Sequence, residues 1–106
     1  MEKVVIFGTG SVARDAYYDM SYDGTYDVVA FTRDRRYMTA DREELLGLSV
    51  VPFEDMVALY PPDEYKMLIA IGAINLTKIR ATKYEQAKEM GYQLVNSVSA
   101  LSLIHI

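Results

Sequence analysis

Cysteine is absent from this 106-residue chain, and histidine occurs once. The first absence excludes disulfides, thiolate catalysis and cysteine-ligated metals. The second leaves no material for a histidine-based triad or metal site, because His105 lies in the tail. No apolar run reaches the roughly 18 to 20 residues that a membrane span needs. The N-terminus, Met1-Glu2-Lys3-Val4, passes straight into a strand pattern, without the charged-then-apolar layout and small-residue cleavage site of a signal peptide. Repeats, linkers and low-complexity segments are also missing. Together these absences imply a cytoplasmic location. The net charge of -4 argues against a general nucleic-acid binder. Basic residues nevertheless cluster, at Arg33, Arg35 and Arg36 and again at Lys78, Arg80 and Lys83. Local basic clusters on an acidic chain suit a small anionic ligand better than a long polyanion.

What is present is an ordinary globular composition, 51% hydrophobic and 25% charged, at a length that suits one domain. KVVIF, residues 3–7, reads as a strand buried on both faces. From Ser11 the apolar residues Val12, Ala13, Ala16, Tyr17 and Met20 recur at helical spacing, with Ser11 as the expected N-cap and the glycine of SYDGT as the stop. DVVAFT, residues 27–32, reads as a second strand. Residues 33–47 read as a polar loop with a short helical turn around 42–46. A third strand covers 48–51, and Phe53, Met56, Val57 and Tyr60 form one face of a short helix stopped by Pro61-Pro62. A fourth strand covers 66–71. The longest helix covers 75–90, with Lys83 on its inner face extending its charged end to water. Gly91 then turns the chain into a fifth strand, 92–95.

The alternation βαβ(loop)βαβαβ implies an α/β fold, a Rossmann-like three-layer arrangement around a parallel sheet. Numbered along the chain, the five predicted strands should lie in the order 3-2-1-4-5, with right-handed crossovers and a switch point between strands 1 and 4. Ligands bind such sheets at the carboxyl ends of the strands, at that point. Three features converge there. Gly8-Thr9-Gly10-Ser11-Val12-Ala13 is a GxGxxA loop in the required strand-turn-helix context: Gly8 for a tight turn, Gly10 for close approach of a phosphate, Ala13 for helix-strand packing. Thr32-Arg33-Asp34-Arg35 lies just beyond strand 2, where dinucleotide enzymes place an acidic residue on the ribose. Thr32 stands in that place, Asp34 follows two residues later, and an arginine there also suggests the 2′-phosphate of NADP. Gly72-Ala73-Ile74-Asn75, with Lys78 and Arg80, opens the last helix on the same crevice. The bland alternatives are a tight turn without a ligand and solvated charged surfaces. The carboxylates Asp41, Glu43 and Glu44 read as a solvated face, and the nine tyrosines as packing or half-exposed residues.

The opening KVVIFGTGSVARDAYY, the segment GLSVVPFEDM and above all IGAINLTKIRATKYEQAKEMGYQLVNSVSALSLI resemble the N-terminal domain of sugar O- and N-acyltransferases of the sialic-acid and bacillosamine type, over nearly the whole chain. The resemblance implies a Rossmann-like domain, residues 1–96, that recognises a UDP- or dTDP-linked sugar and is not catalytic by itself. It implies that Gly8, Thr9, Gly10 and Ser11 lie along the diphosphate, Thr32, Arg33 and Asp34 near the nucleoside, and Gly72 and Asn75 beside the sugar. In that family a left-handed β-helix follows, which binds acetyl-CoA, carries the catalytic histidine and assembles trimers. Residues 97–106, with their apolar ending Val98, Leu101, Leu103, Ile104 and Ile106, are expected to be an exit segment leading to such a unit. The chain itself is expected to hold no cofactor and no metal. The sequence departs from the family at Thr32-Arg33, where an acidic pair is usual. Two other readings remain open: an NAD(P)-binding domain of an oxidoreductase, and an interaction domain without a ligand.

Overall fold

A computed structural model describes residues 2–24, 26–38, 43–70 and 77–95. The elements are β1 (Glu2–Phe7), α1 (Ser11–Asp23), β2 (Tyr26–Arg33), β3 (Glu43–Leu45), β4 (Leu48–Pro52), α2 (Met56–Leu59), β5 (Tyr65–Ile69) and α3 (Thr77–Glu89), with 3-10 turns at Arg35–Tyr37 and Phe53–Asp55. Strand β1 sits at the centre because nothing on it needs water. Val4, Val5 and Ile6 are fully buried, and their alternation splits the core in two. Val4 and Ile6 pack with Ala13, Ala16 and Met20 of α1. Val5 and Phe7 pack with Phe53, Met56 and Ala87 under α2 and α3. The result is the expected three layers.

The sheet runs β3-β4-β2-β1-β5. β2, β1, β5 and β4 are parallel, and β3 is antiparallel to β4. Without β3, this is the expected order, so the correction concerns that one edge strand. The loop and helical turn expected over 33–47 contain instead a 3-10 turn and a hairpin whose two-residue turn, Leu46-Gly47, has φ of 53° and 81°. Positive φ at both positions matches the twist of a two-residue hairpin. Asparagine or aspartate usually takes the first position, and the leucine here packs on the core instead. The expected fifth strand is reduced to a parallel bridge between Leu94 and Met67, held by Met67 N–H on Gln93 O at 3.2 Å and Val95 N–H on Met67 O at 2.9 Å. The fourth strand ends at Ile69 rather than 71.

One irregularity positions the site. The β1–β2 register shifts between Val4 and Val5, so that Val4 lies opposite Val28 but Val5 opposite Ala30. The extra residue is a bulge, and it inverts the side-chain alternation beyond it. Phe31 therefore packs on the α1 side, 5.9 Å from the Tyr17 ring. Asp34, three residues on, meets α3 on the opposite face.

Behind α3 the chain is closed by Tyr92, which donates its hydroxyl to Tyr60 O at 2.5 Å. Burial raises this phenol from 10.0 to about 12, because the phenolate would lose its hydration. The native protein holds this proton after the unfolded chain has released it. The stability it confers is therefore intact below pH 10 and is lost as pH rises toward 12. Tyr92→Phe should lower stability at neutral pH by about 1 kcal/mol through the lost hydrogen bond. It should also flatten the alkaline loss in urea denaturation followed across that range. Equal alkaline slopes in the two proteins would show that this phenol is not linked to folding.

Candidate functional site

The carboxyl ends of β1, β2, β4 and β5 form one edge of the sheet, and the loop after β1 lies at its middle. Gly8 is wedged there. Its N–H donates to Thr32 O at 2.9 Å, and the neighbouring Ala70 N–H donates to Phe7 O at 2.9 Å. With φ of +127°, a side chain on Gly8 would put its Cβ 2.3 Å from Ala70 O. Gly8 is thus glycine for the fold. Gly10 differs: its backbone is extended, φ -86°, and a Cβ there would meet nothing within 4 Å. Neither conformation nor packing requires glycine at that position. The residue is exposed, as is Ser11, while Gly8 and Thr9 are half-buried.

Gly10, and not Ser11, is the N-cap of α1, and no side chain caps the helix. This corrects the expected role of Ser11, which is the first helical residue. The first helical hydrogen bond runs from Arg14 N–H to Gly10 O at 3.1 Å. The N–H groups of Ser11, Val12 and Ala13 therefore have no partner within the helix. With the helix dipole behind them they form an electropositive mouth suited to an anion.

Beyond β2 the structure redistributes the expected residues. Thr32 does not face the crevice: it is fully buried, and its hydroxyl donates to Val51 O at 2.8 Å, joining β2 to β4. Its expected place near the nucleoside is not met by its side chain. Arg33 reaches Glu43 at 3.4 Å, and Arg35 pairs with Asp55 at 2.6 Å while its N–H donates to Glu54. Asp34 receives the Lys83 ammonium at 2.5 Å, and both side chains are almost enclosed, 13% and 11% exposed. The same ammonium stands 4.6 Å from the Phe53 ring centre and 5.2 Å from that of Phe7. Those rings meet edge to face at 5.1 Å. This corrects the expectation that Lys83 extends to water. An ammonium over aromatic faces and beside a carboxylate is satisfied without hydration. Asp34, Phe53 and Lys83 line a cleft of about 520 Å³ between the turn after β4 and α3, a volume in the range of small-molecule sites. Gly72 and Asn75 lie outside the described residues, as do residues 97–106 and the side chains of Lys78 and Arg80. Among the described residues there is no His/Cys/Asp/Glu cluster that could hold a metal, and no helix is long and apolar enough to cross a membrane.

No protein-family model and no curated protein sequence matches the chain. Solved structures do. UDP-D-quinovosamine 4-dehydrogenase from Vibrio fischeri matches 99% of this chain and 86% of its own, with a TM-score of 0.72 at 15% identity. The acetyltransferase domain of PglB from Neisseria gonorrhoeae FA1090 matches 88% of this chain, with a TM-score of 0.66 at 21% identity. The chain spans 42% of the length of that domain. RSP, a Rex-family repressor, matches 99% of this chain and 57% of its own, with a TM-score of 0.63 at 9% identity. The fold is Rossmann-like. Likeness at these identities concerns the fold alone.

Within a Rossmann-like frame the two loop glycines separate cleanly by experiment. Gly8→Ala should lose about 3 kcal/mol or more, since backbone strain and a backbone clash add. Gly10→Ala should change stability by less than about 1 kcal/mol, the range of a helix-cap substitution. Chemical denaturation of both variants checks this, and equal losses would contradict the assignment of Gly8 to the fold and Gly10 to open space.

Proposed function

We propose that this domain recognises a nucleotide-linked sugar, UDP- or dTDP-linked, as the nucleotide-sugar-binding part of a sugar acyltransferase. The observation that carries the reading is Gly10. A glycine that the fold does not need stands at the open start of α1, where a bare backbone lets a phosphate reach the free N–H groups. In this reading Gly8, Thr9, Gly10 and Ser11 follow the diphosphate. Asp34 and the neighbouring Arg33 flank the nucleoside, and Gly72 and Asn75 border the sugar. The gonococcal acetyltransferase domain has also been solved in complex with acetyl coenzyme A. For this protein, acetyl-CoA binding, acyl transfer and trimer assembly are assigned to a β-helical part outside the chain, and the chain alone transfers no acetyl group.

The match to the Vibrio dehydrogenase, extensive in both chains, favours a second reading, an NAD(P)-binding domain. Two features weigh against it. Arg33 and Arg35, the residues that suggest NADP, are already matched to Glu43 and Asp55. Asp34 is matched to Lys83 and does not present a free carboxylate with two open oxygens, as an NAD ribose site does.

A thermal-shift panel decides between the readings. A UDP- or dTDP-sugar at about 100 times its Kd should stabilise the domain by about 2.7 kcal/mol, a melting shift on the order of 10 °C. NAD and NADP should give no shift, and Gly10→Val should fold normally but lose the response. Saturable NADP binding with none for any nucleotide sugar would replace this reading by the oxidoreductase one.

A further inference from the structure

Helix α1 buries one stripe, Ala13, Ala16 and Met20. On its solvent side Asp15, Tyr18 and Tyr22 follow one another at the spacing of a single helix face. Asp15 is exposed, Tyr18 is 58% exposed and Tyr22 94%. Among the described residues Tyr22 is the most exposed large apolar side chain. A solvent-facing helical position is served best by alanine, glutamate or lysine, and an aromatic there lowers helix propensity. The fold therefore does not call for two tyrosine rings on this face. Tyr18 is also held in place. Its ring meets Tyr17 edge to face at 5.5 Å, and Tyr17 packs against Phe31 of the core.

The charge on α1 has one sign in excess. Asp15, Asp19 and Asp23 stand against the single cation Arg14, a net charge of -2. The last turn carries no basic residue, although the negative end of the helix dipole favours one there. Tyr22 and Asp23 lie in that turn. Carboxylates, helix dipole and the negative ring faces thus add in the same sense. Such a face is complementary to a cation, and best to arginine. A planar guanidinium stacks on a ring and donates to a carboxylate at once, whereas an ammonium is a compact, strongly hydrated point charge. A second copy of this chain, with its net charge of -4, would be repelled rather than attracted. The complementary partner is a different, basic protein.

We propose that Tyr18, Tyr22 and Asp15, at the negative end of α1, form a docking face for an arginine-bearing segment of another protein. Tyrosine and arginine are the residues that carry much of the energy at interfaces, and a ring already held by its neighbour loses little freedom on binding. The face is independent of the proposed nucleotide site. It lies on the outer side of α1, while the cleft beside Lys83 lies under α3 on the other face of the sheet.

Two capped peptides of equal charge test the proposal, one of six arginines alternating with alanine and one with lysine in place of each arginine. Titrated into nitrogen-15-labelled protein at 0.15 M salt, the arginine peptide should shift amide signals concentrated along α1 and bind about threefold or more tighter than the lysine peptide. Replacing Tyr18→Leu and Tyr22→Leu together keeps a good helix former at exposed positions and should bring the two peptides to parity. Plain attraction to an acidic chain would favour neither peptide and would survive that change. Equal affinities in the wild type, signals shifted away from α1, an unchanged ratio in the double variant, or no binding of either peptide each overturns the proposal. So does a wild-type dimer in sedimentation that the double variant abolishes, which would give the face to a second copy. If the double variant fails to fold, Tyr22→Leu alone decides, since that side chain is almost wholly in solvent. None of these outcomes bears on nucleotide binding, which the thermal-shift panel tests separately.

Discussion

The ammonium of Lys83 ties together the carboxyl ends of β1, β2 and β4. It is almost enclosed, beside Asp34 and above Phe7 and Phe53, so four separate parts of the chain meet at a single charge. Enclosing a lysine is unfavourable unless its surroundings replace water. The replacement requires a carboxylate, two aromatic faces and the helix that delivers the lysine to be in place together. A pair of this kind adds little net stability over an apolar substitute, but removing one partner is strongly unfavourable. Its physical consequence is that α3 has one acceptable position relative to the ends of β1, β2 and β4. Asp34, Phe53 and Lys83 also line the cleft, so the pair fixes that part of its wall.

A second constraint acts at the centre of the same edge. Gly8 lies so close to Ala70 O that no side chain fits, which brings the end of β5 against the start of the glycine loop. The loop is therefore tight against β5 at Gly8, while Gly10 and Ser11 are exposed. An anion could meet backbone N–H groups there without meeting side chains. The glycine loop and the lysine pair divide the labour: uncharged backbone dipoles at the middle of the edge, and an almost neutralised charge pair to one side. The proposed anion site of this chain of net charge -4 thus relies on backbone N–H groups rather than on a free arginine among the described residues beyond β2.

The layers were legible in the sequence because each rests on a local pattern. The apolar run of β1, the helical spacing of Ala13, Ala16 and Met20, and the glycines at 24 and 91 all signal their roles within a few residues. The features that were not legible depend on partners far along the chain. The hairpin at Leu46-Gly47 lacks the asparagine or aspartate that announces such a turn, because Leu46 gains core packing instead. The bulge in β2 leaves no mark on DVVAFT, since Val28, Val29 and Ala30 suit either face. It is nevertheless the bulge that sets which face Asp34 meets. Thr32 looked like a ligand residue from its place at the strand end, yet a threonine hydroxyl is as easily used by the neighbouring strand, and Val51 O uses it.

Lys83 shows where reading one helix at a time reaches its limit. A lysine within an apolar stripe has two acceptable outcomes, extension to water or a buried carboxylate, and periodicity cannot choose between them. The choice is made by Asp34, 49 residues away, whose orientation follows from a register shift that periodicity also cannot show. The candidate site is thus half local and half topological. Its glycine loop can be read from six consecutive residues, whereas its charged pair exists only once β1, β2, β4 and α3 are assembled. The part legible in sequence belongs to many Rossmann-like chains and says little about the ligand. The assembled part depends on residues 49 positions apart and leaves no mark on either segment alone.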